Sequence, residues 1–494
     1  MSPENTPSLH SRYNPEGEAE RYVSSLSLNS NARFFILIEP GLGYIAGPLK
    51  KRLPGAKILA LHAVPAQAAP AQTALAQASP EKPDSEWYPG TGIALRDFLE
   101  REIPDSRAGE IQILEWRPAL AVYRKAYLAL VEEAAEFIKL ADANARTSQA
   151  FGPRWVKNFF RNLRIVRKVL CPVPFSLPLV VTGAGPGLED AIPLIRDEAL
   201  GGRVFILAVS SSAAALDARG IKPGMVVSTD GGQWAAFHLY DYCRGNRPEG
   251  SGGALPCPLA ASLTAALPSQ CCSLPILPVS DGSLWQTLVL KELGIPFVVM
   301  PQRGTVSASA LDLAFALTDA GIFIAGMDLA NDDIRSHARP YSLDRFLDDK
   351  AGRLNPVYSQ AYRRASLLKA GGSFGIYAAW FRKQLASYPG RLHALGKNNP
   401  LFSALERSPL NTAGAGKQAG RPPEIFKTIN LAPSGDPSLR AWTVLKKALE
   451  DPAHSPKLSE ELGALLVPGK DTVQADELIQ VLYPLAGTTG RELP

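Results

Sequence analysis

Short apolar runs alternate with helical patterns along most of this chain. The first pair lies in RFFILIEPGLGYIAGPLKKRLPGAKILAL, whose spacing predicts strands at 34–38 and 57–61, a helix between them, and a turn made by Gly41 and Gly43. Tyr127, Leu130, Val131, Ala134, Ile138 and Ala141 recur at three-four spacing, which predicts a connecting helix with one buried face within 118–147. In RWVKNFFRNLRIVRK, Arg154, Lys157, Arg161, Arg164 and Lys168 line one helix face, and Trp155, Phe159 and Phe160 fall on the buried side. From Pro178 to about Asp333 the runs PLVV, RVFILAV, GMVVS, LPILPV, PFVVM and IFIAG are apolar on both faces and alternate with helical or loop segments. That rhythm predicts a parallel sheet covered on both sides. Beyond about residue 351 the pattern turns helical, with Phe374, Tyr377, Ala378, Phe381 and Leu385 sharing one face.

The fold class expected is therefore α/β, in several parts. A Rossmann-like N-terminal unit covers 1–117 and carries an Ala/Pro/Gln-biased flexible insertion at about 63–83. Connecting helices cover 118–177, a central Rossmann-like catalytic domain 178–350, and a helical C-terminal region 351–494, with a Gly/Pro-rich linker at about 413–436. A length of 494 residues favours more than one core, and 46% hydrophobic with 20% charged residues can fill them. No run of eighteen apolar residues occurs, so no membrane span is expected. The N-terminus lacks the basic and apolar regions of a secretory signal. Cys171, Cys243, Cys257, Cys271 and Cys272 are odd in number and show no C-x-x-C pair, which fits a reducing cytoplasm better than a disulfide scaffold or a zinc site. A net charge of +5 over this length does not argue for nucleic acid.

In a parallel sheet, ligands sit outside the carboxyl ends of the strands, so the residues that follow each strand are the candidates. They are Gly183, Gly185, Pro186 and Gly187; Ser210, Ser211 and Ser212; Thr229, Asp230, Gly231 and Gly232; Asp281; Gly304, Thr305 and Ser307; and Gly326 and Asp328. A glycine turn before a helix offers backbone N–H groups to a phosphate. Leu188 stands where a dinucleotide fingerprint would have its third glycine, and no G-x-x-x-x-G-K-[ST] occurs, so a single phosphate suits this turn better than a dinucleotide. The N-terminal glycine turn reads instead as close packing, because its second strand ends in His62 where a ribose-binding acid would be needed. Asp230 is the candidate general base and His238 the alternative; each also has a local reading, as a turn cap and as a helix-surface side chain. Asp328, Asp332 and Asp333 are the carboxylates that magnesium would use if the reaction were phosphoryl transfer.

At VTGAGPGLEDAI, ILAVSSSAAALDARGIKPGMVVSTDGG, GTVSASALDLAFALTDAG and IFIAGMDLA the chain resembles the central domain of the motility-associated factor (Maf) proteins, a family of flagellin glycosyltransferases. HSRYNPEGEAERYV, TSQAFGPRWVKNFFRNL, GSFGIYAAWF and LFSALERSPL extend the resemblance over most of the chain. It implies a sialyltransferase-like central sheet and a cytoplasmic, metal-independent enzyme that moves a CMP-activated nonulosonic acid to serine or threonine of flagellin. Carried over by motif, Gly183, Gly185 and Gly187 would face the donor phosphate, Asp230 would lie in the active cleft, and Thr305 and Ser307 would hydrogen-bond donor or sugar; the strand-end residues Pro186, Ser210, Ser211, Gly304 and Asp328 are expected to bind donor with them, and His238 remains the alternative base. Such proteins usually have serine where this chain has Gly187. The same domain is similar to 6-hydroxymethylpterin diphosphokinases, which transfer diphosphate from ATP and would bring magnesium. An inactive flagellar assembly factor is a further alternative, because fold alone does not fix activity.

Overall fold

The computed structural model describes residues 9–11, 13–65, 81–244, 257–301, 304–370, 381, 390–396, 426–431, 435–467, 470 and 473–487. The chain divides into two compact units, Met1–Ala150 and Phe151–Pro494. In the first, α1 (Pro15–Ser25) precedes a parallel sheet of β1 (Phe34–Ile38), β2 (Lys57–Leu61), β3 (Ser85–Trp87) and β4 (Ile111–Glu115), ordered β3-β2-β1-β4. Helices α2 (Ala46–Arg52), α3 (Leu95–Glu102) and α4 (Arg117–Val122) complete it, with the start of α5 (Arg124–Ile165). Both strands and the helix expected between 34 and 61 are present. The apolar stripe of α5 is buried at Tyr127, Leu130, Ala134, Phe137 and Ala141, in one core with Phe35, Ile36 and Ile58. Gly41 (φ 65°) and Gly43 (φ 83°) make the turn after β1, and a Cβ on Gly41 would lie 2.5 Å from His10 Nε2. The residues of the expected insertion from 66 to 80 lie outside those described.

The second unit is built on one large sheet. Its strands are β5 (Lys168–Pro172), β6 (Leu179–Thr182), β7 (Phe205–Val209), β8 (Met225–Ser228), β9 (Leu259–Ser262), β10 (Pro275–Ser280), β11 (Val298–Val299), β12 (Ile322–Ala325), β13 (Leu392–Ala394) and β14 (Phe426–Asn430). The order is β13-β12-β6-β7-β8-β9-β10-β5-β14, with β11 beside β10. Every pairing is parallel except β14 with β5. Strands β6, β7, β8, β9 and β12 are buried along their whole length, as the two-faced apolar runs require. Their helices are α6 (Leu188–Leu200), α7 (Ala213–Asp217), α8 (Gln233–Arg244), α9 (Leu284–Glu292) and α10 (Val306–Leu317). After β12 come α11 (Asp344–Asp349) and α12 (Val357–Ala370), and the chain closes with α13 (Pro437–Glu450), α14 (Ser455–Leu466) and α15 (Ala475–Gly487).

The structure corrects several sequence-based expectations. Lys168 opens β5 and does not continue the helix face; of that basic stripe, Arg161 donates to Leu267 O and Arg164 grips the Asp436 carboxylate, while Arg154 and Lys157 stay exposed. The expected linker contains β14, which pairs with β5. The segment expected to connect the units, 118–177, is divided between them. The helical C-terminal region is present as expected, and Leu445, Leu462, Leu478 and Leu482 share one core with Phe159, Phe160 and Ile276. Glu461 of α14 accepts the first N–H groups of α9, at Leu284 (3.1 Å) and Trp285 (3.2 Å). Of the expected stripe at 374–385, Phe381 is buried and the rest lies outside the described residues.

Helix α5 meets α14 through Gly152, whose Cβ would lie 2.3 Å from the Leu465 carbonyl oxygen. Gly152→Ala improves helix propensity by about 1 kcal/mol. The clash is with backbone, however, so the variant is expected to destabilise this unit by about 1–3 kcal/mol. Urea unfolding followed by tryptophan fluorescence measures the sign, and a stabilised variant would contradict the close contact.

Candidate functional site

Strand order reverses between β6 and β12, so the crevice of this sheet lies at their carboxyl ends. The glycine turn and Asp328 meet there. Gly183 N–H donates to Ala325 O (2.8 Å), Gly185 N–H to Gly326 O (2.7 Å), and Gly187 N–H to the Asp328 carboxylate (2.8 Å). The turn's glycines are needed for approach. A Cβ at 183 would stand 2.5 Å from Gly326 O, and one at 185 would stand 2.1 Å from Asp328 Oδ2. At 187 the Cβ would stand 2.4 Å from Asp328 Oδ1, so a serine there would require this carboxylate to move. The amides expected to cradle a phosphate thus already donate within the protein. Asp328 takes the place of an anion at the N-terminus of α6. Burial raises its carboxyl above the usual range, against the lowering by the Gly187 N–H. Leu329 (φ 48°) and Asp333 (φ 54°) hold left-handed backbone in the same loop, which is costly for non-glycine residues.

The chain after β12 continues across the rim. Ala338 N–H donates to Ala184 O and Arg339 N–H to Glu189 (both 2.8 Å), while the Arg335 guanidinium bonds Glu189 (3.2 Å) and Asp332 (3.1 Å). The Arg219 guanidinium donates to Arg339 O. These bonds lay residues 335–341 beside the start of α6 and bring Tyr341 to His238 of α8, with ring centroids 5.1 Å apart. His337 stacks on Tyr341, with ring centroids 4.0 Å apart and planes 9° apart. Arg364 of α12 lies 5.6 Å from the Tyr341 centroid and hydrogen-bonds its side chain. Burial, then the Arg364 charge, pushes His238 down to about 4. The same causes, joined by His238, push His337 down to about 3. Both imidazoles are neutral at pH 7.

Helix α8 starts where the TDGG turn ends. Asp230 accepts the Gly232 N–H (2.7 Å) and its side chain is otherwise on an exposed residue, so it caps its turn and still presents a carboxylate to solvent. Trp155 packs against Gly231, where a Cβ would approach its ring to 2.3 Å, and Asn158 of α5 donates to Thr264 O (3.0 Å). Ser210 is buried, Ser211 partly exposed, and Ser212 bonds Thr182 (3.0 Å) under the rim. Thr305 caps α10 by accepting the Ala308 N–H (3.1 Å), beside exposed Gly304 and partly exposed Ser307; Pro186 is buried. Asp281 accepts the Ser283 N–H (2.9 Å). Asp332 is paired with Arg335, so Asp328, Asp332 and Asp333 do not converge on one cation; among the described residues no three His, Cys, Asp or Glu side chains group as a metal site.

Reading strand ends singled out His238 but missed His337, Arg339, Tyr341 and Arg364. The available signal was RSHARPY at 335–341, a dense run of arginine, histidine and tyrosine in a loop that follows a strand end, in a chain with six histidines.

The second unit is thus a doubly wound α/β domain with a polar rim at its switch point. Its residues 154–249 match the family model for 6-hydroxymethylpterin diphosphokinase MptE-like proteins. An uncharacterised protein of Treponema pallidum (strain Nichols) is 28% identical over 293 residues, which is 59% of this chain and 61% of that protein. This chain therefore spans about three fifths of that relative's length. A solved structure described as a MAf glycosyltransferase from Magnetospirillum magneticum AMB-1 aligns with a TM-score of 0.46 and 14% identity, over 95% of this chain and 77% of that one.

A histidine lowered by folding stabilises the native state fully above its unfolded value of 6.5, and this contribution is lost as pH falls below it. For His238 the difference is on the order of 3 kcal/mol. Wild-type thermal stability should therefore fall between pH 7 and pH 4.5 more steeply than that of His238→Gln, in which this position no longer titrates. Equal slopes would show that His238 is not held neutral.

Proposed function

We propose that this protein is a glycosyltransferase that moves a nonulosonic, sialic-acid-like sugar from a CMP-activated donor to a serine or threonine hydroxyl of flagellin, in a reducing cytoplasm. The observation that supports this best is the rim itself, where neutral imidazoles stand beside an arginine and the exposed Asp230 carboxylate lies in the turn before the helix that carries His238, on a sheet whose strand-end motifs resemble those of the Maf family. In the reaction the acceptor oxygen bonds to the anomeric carbon, the bond from that carbon to the donor phosphate breaks, and CMP leaves with the electron pair. The acceptor proton passes to a base. Asp230 is the accessible one; His238 is neutral but buried, and His337 is neutral and partly buried. No metal enters this mechanism, because the developing charge is a single phosphate that amides and guanidinium groups can neutralise. The described helices include none long and apolar enough to cross a membrane.

A second reading is favoured by the family-model match over 154–249: an ATP-dependent diphosphotransferase acting on a hydroxymethyl group. It would recruit magnesium to acidic side chains, and Asp328 and Asp332 are already engaged by Gly187 and Arg335.

Calorimetric titration separates the two. CMP binding is expected to survive EDTA, and Asp230→Ala should abolish sugar transfer to flagellin while leaving thermal stability within a few degrees of wild type. Magnesium-dependent ATP binding without any response to CMP would overturn the transferase reading in favour of the second.

A further inference from the structure

The glycine turn and the arginine loop compete as places for an anion, and the two differ in what already occupies them. At the turn, the amides of Gly183, Gly185 and Gly187 are engaged and the Asp328 carboxylate stands against the helix start. A phosphate there would meet a negative charge at hydrogen-bonding range. Beyond it, Arg339, Arg364, His337 and Asp344 line a small pocket between the 335–341 loop, α11 and α12. Arg335 also borders this pocket, but Glu189 and Asp332 pair with it. Against Arg339 and Arg364 stands the carboxylate of Asp344, 3.7 Å from Arg339 Nε. The balance is positive, and two imidazoles sit behind it.

We propose that the pocket formed by Arg339, Arg364 and His337 is an oxyanion-binding subsite, and that it, rather than the glycine turn, receives the anionic group of the substrate. Planar guanidinium groups recognise phosphate and carboxylate oxygens alike. The pocket's small size suits an oxyanion head rather than a nucleotide base. Arg364 bonds the Tyr341 side chain, which orients it, and His337 stacks on the same ring. The Arg364 charge helps to keep His337 and His238 unprotonated, so an anion that screens this charge should make both easier to protonate. Arg364 and Tyr341 face both imidazoles, the two imidazoles face each other, and Arg339 and Asp344 line the pocket with His337. The identity of the anion rests on the transferase reading, in which the donor carries both a phosphate and a sugar carboxylate; the subsite itself does not.

Histidine-selective NMR of the full-length protein tests this with inorganic phosphate and, separately, N-acetylneuraminic acid as probes. A saturable shift of the His337 and His238 signals is expected with at least one probe at up to tens of millimolar, and whichever acts names phosphate or carboxylate as the source. Arg364→Gln should weaken that binding about tenfold or more, whereas Asp328→Asn should leave it within about twofold. Arg339→Gln gives a second removal of charge should Arg364→Gln fail to fold, as judged by circular dichroism. Binding that is indifferent to both arginine substitutions but strengthened about tenfold by Asp328→Asn would place the anion at the glycine turn and overturn the proposal. So would the lack of any saturable shift with either probe. Neither result depends on sugar transfer, so failure of the transferase reading would be seen separately, in the CMP titration.

Discussion

A half-buried carboxylate needs donors, and the one at Asp328 finds its partner in the backbone of Gly187, 141 positions away in the chain. Much of the second unit's upper edge follows from that contact. It brings the end of β12 against the end of β6, where a hydrogen-bonded seam continues the sheet through Gly183 and Gly185. It leaves no room for side chains at 183, 185 or 187. It also sets the direction in which the chain leaves β12, across the rim toward α6 and α8.

That path gives the rim its electrostatic character. The loop from Asp332 to Tyr341 spends one arginine on structure, through Glu189 and Asp332, and delivers another beside Arg364. Two histidines lodged next to these guanidinium groups remain uncharged, because burial and neighbouring positive charge act in the same direction. An imidazole so placed can accept a proton only when something offsets the arginines, which ties its protonation to occupancy of the site.

The apolar runs made the central strands legible because residues buried on both faces leave a simple pattern. β9 was not legible: LAAS is short and alanine-rich, and its burial owes more to its neighbours than to its own side chains. β14 is an edge strand with no fully buried residue and lies in a stretch of Gly/Pro-rich composition, so it read as linker. β5 was obscured by the basic periodicity that runs into it from α5. The glycine turn was visible as a turn, but nothing local reveals that its amides are taken by distant groups, two by the carbonyls of Ala325 and Gly326 and one by Asp328. Asp230 was visible as a strand-end acid, and the structure adds its role as a cap. The His337–Tyr341–Arg364 group comes from a loop and a later helix, and only the chain's path after Asp328 joins them to His238.

The position of the terminal helices bears on how the chain is made. The first unit has its core residues in hand by Ala141, early in synthesis. The second does not: β5 waits for β14, the start of α9 waits for Glu461, and the core around Phe159 and Phe160 waits for Leu478 and Leu482. A ribosome extending this chain therefore carries a sheet, from β5 to β12, whose outer edges and helix-facing core still lack their final partners. During that interval the free edge of β5 and the uncovered core face are open to pairing with other chains, and a premature stop upstream of residue 437 leaves that core face uncovered.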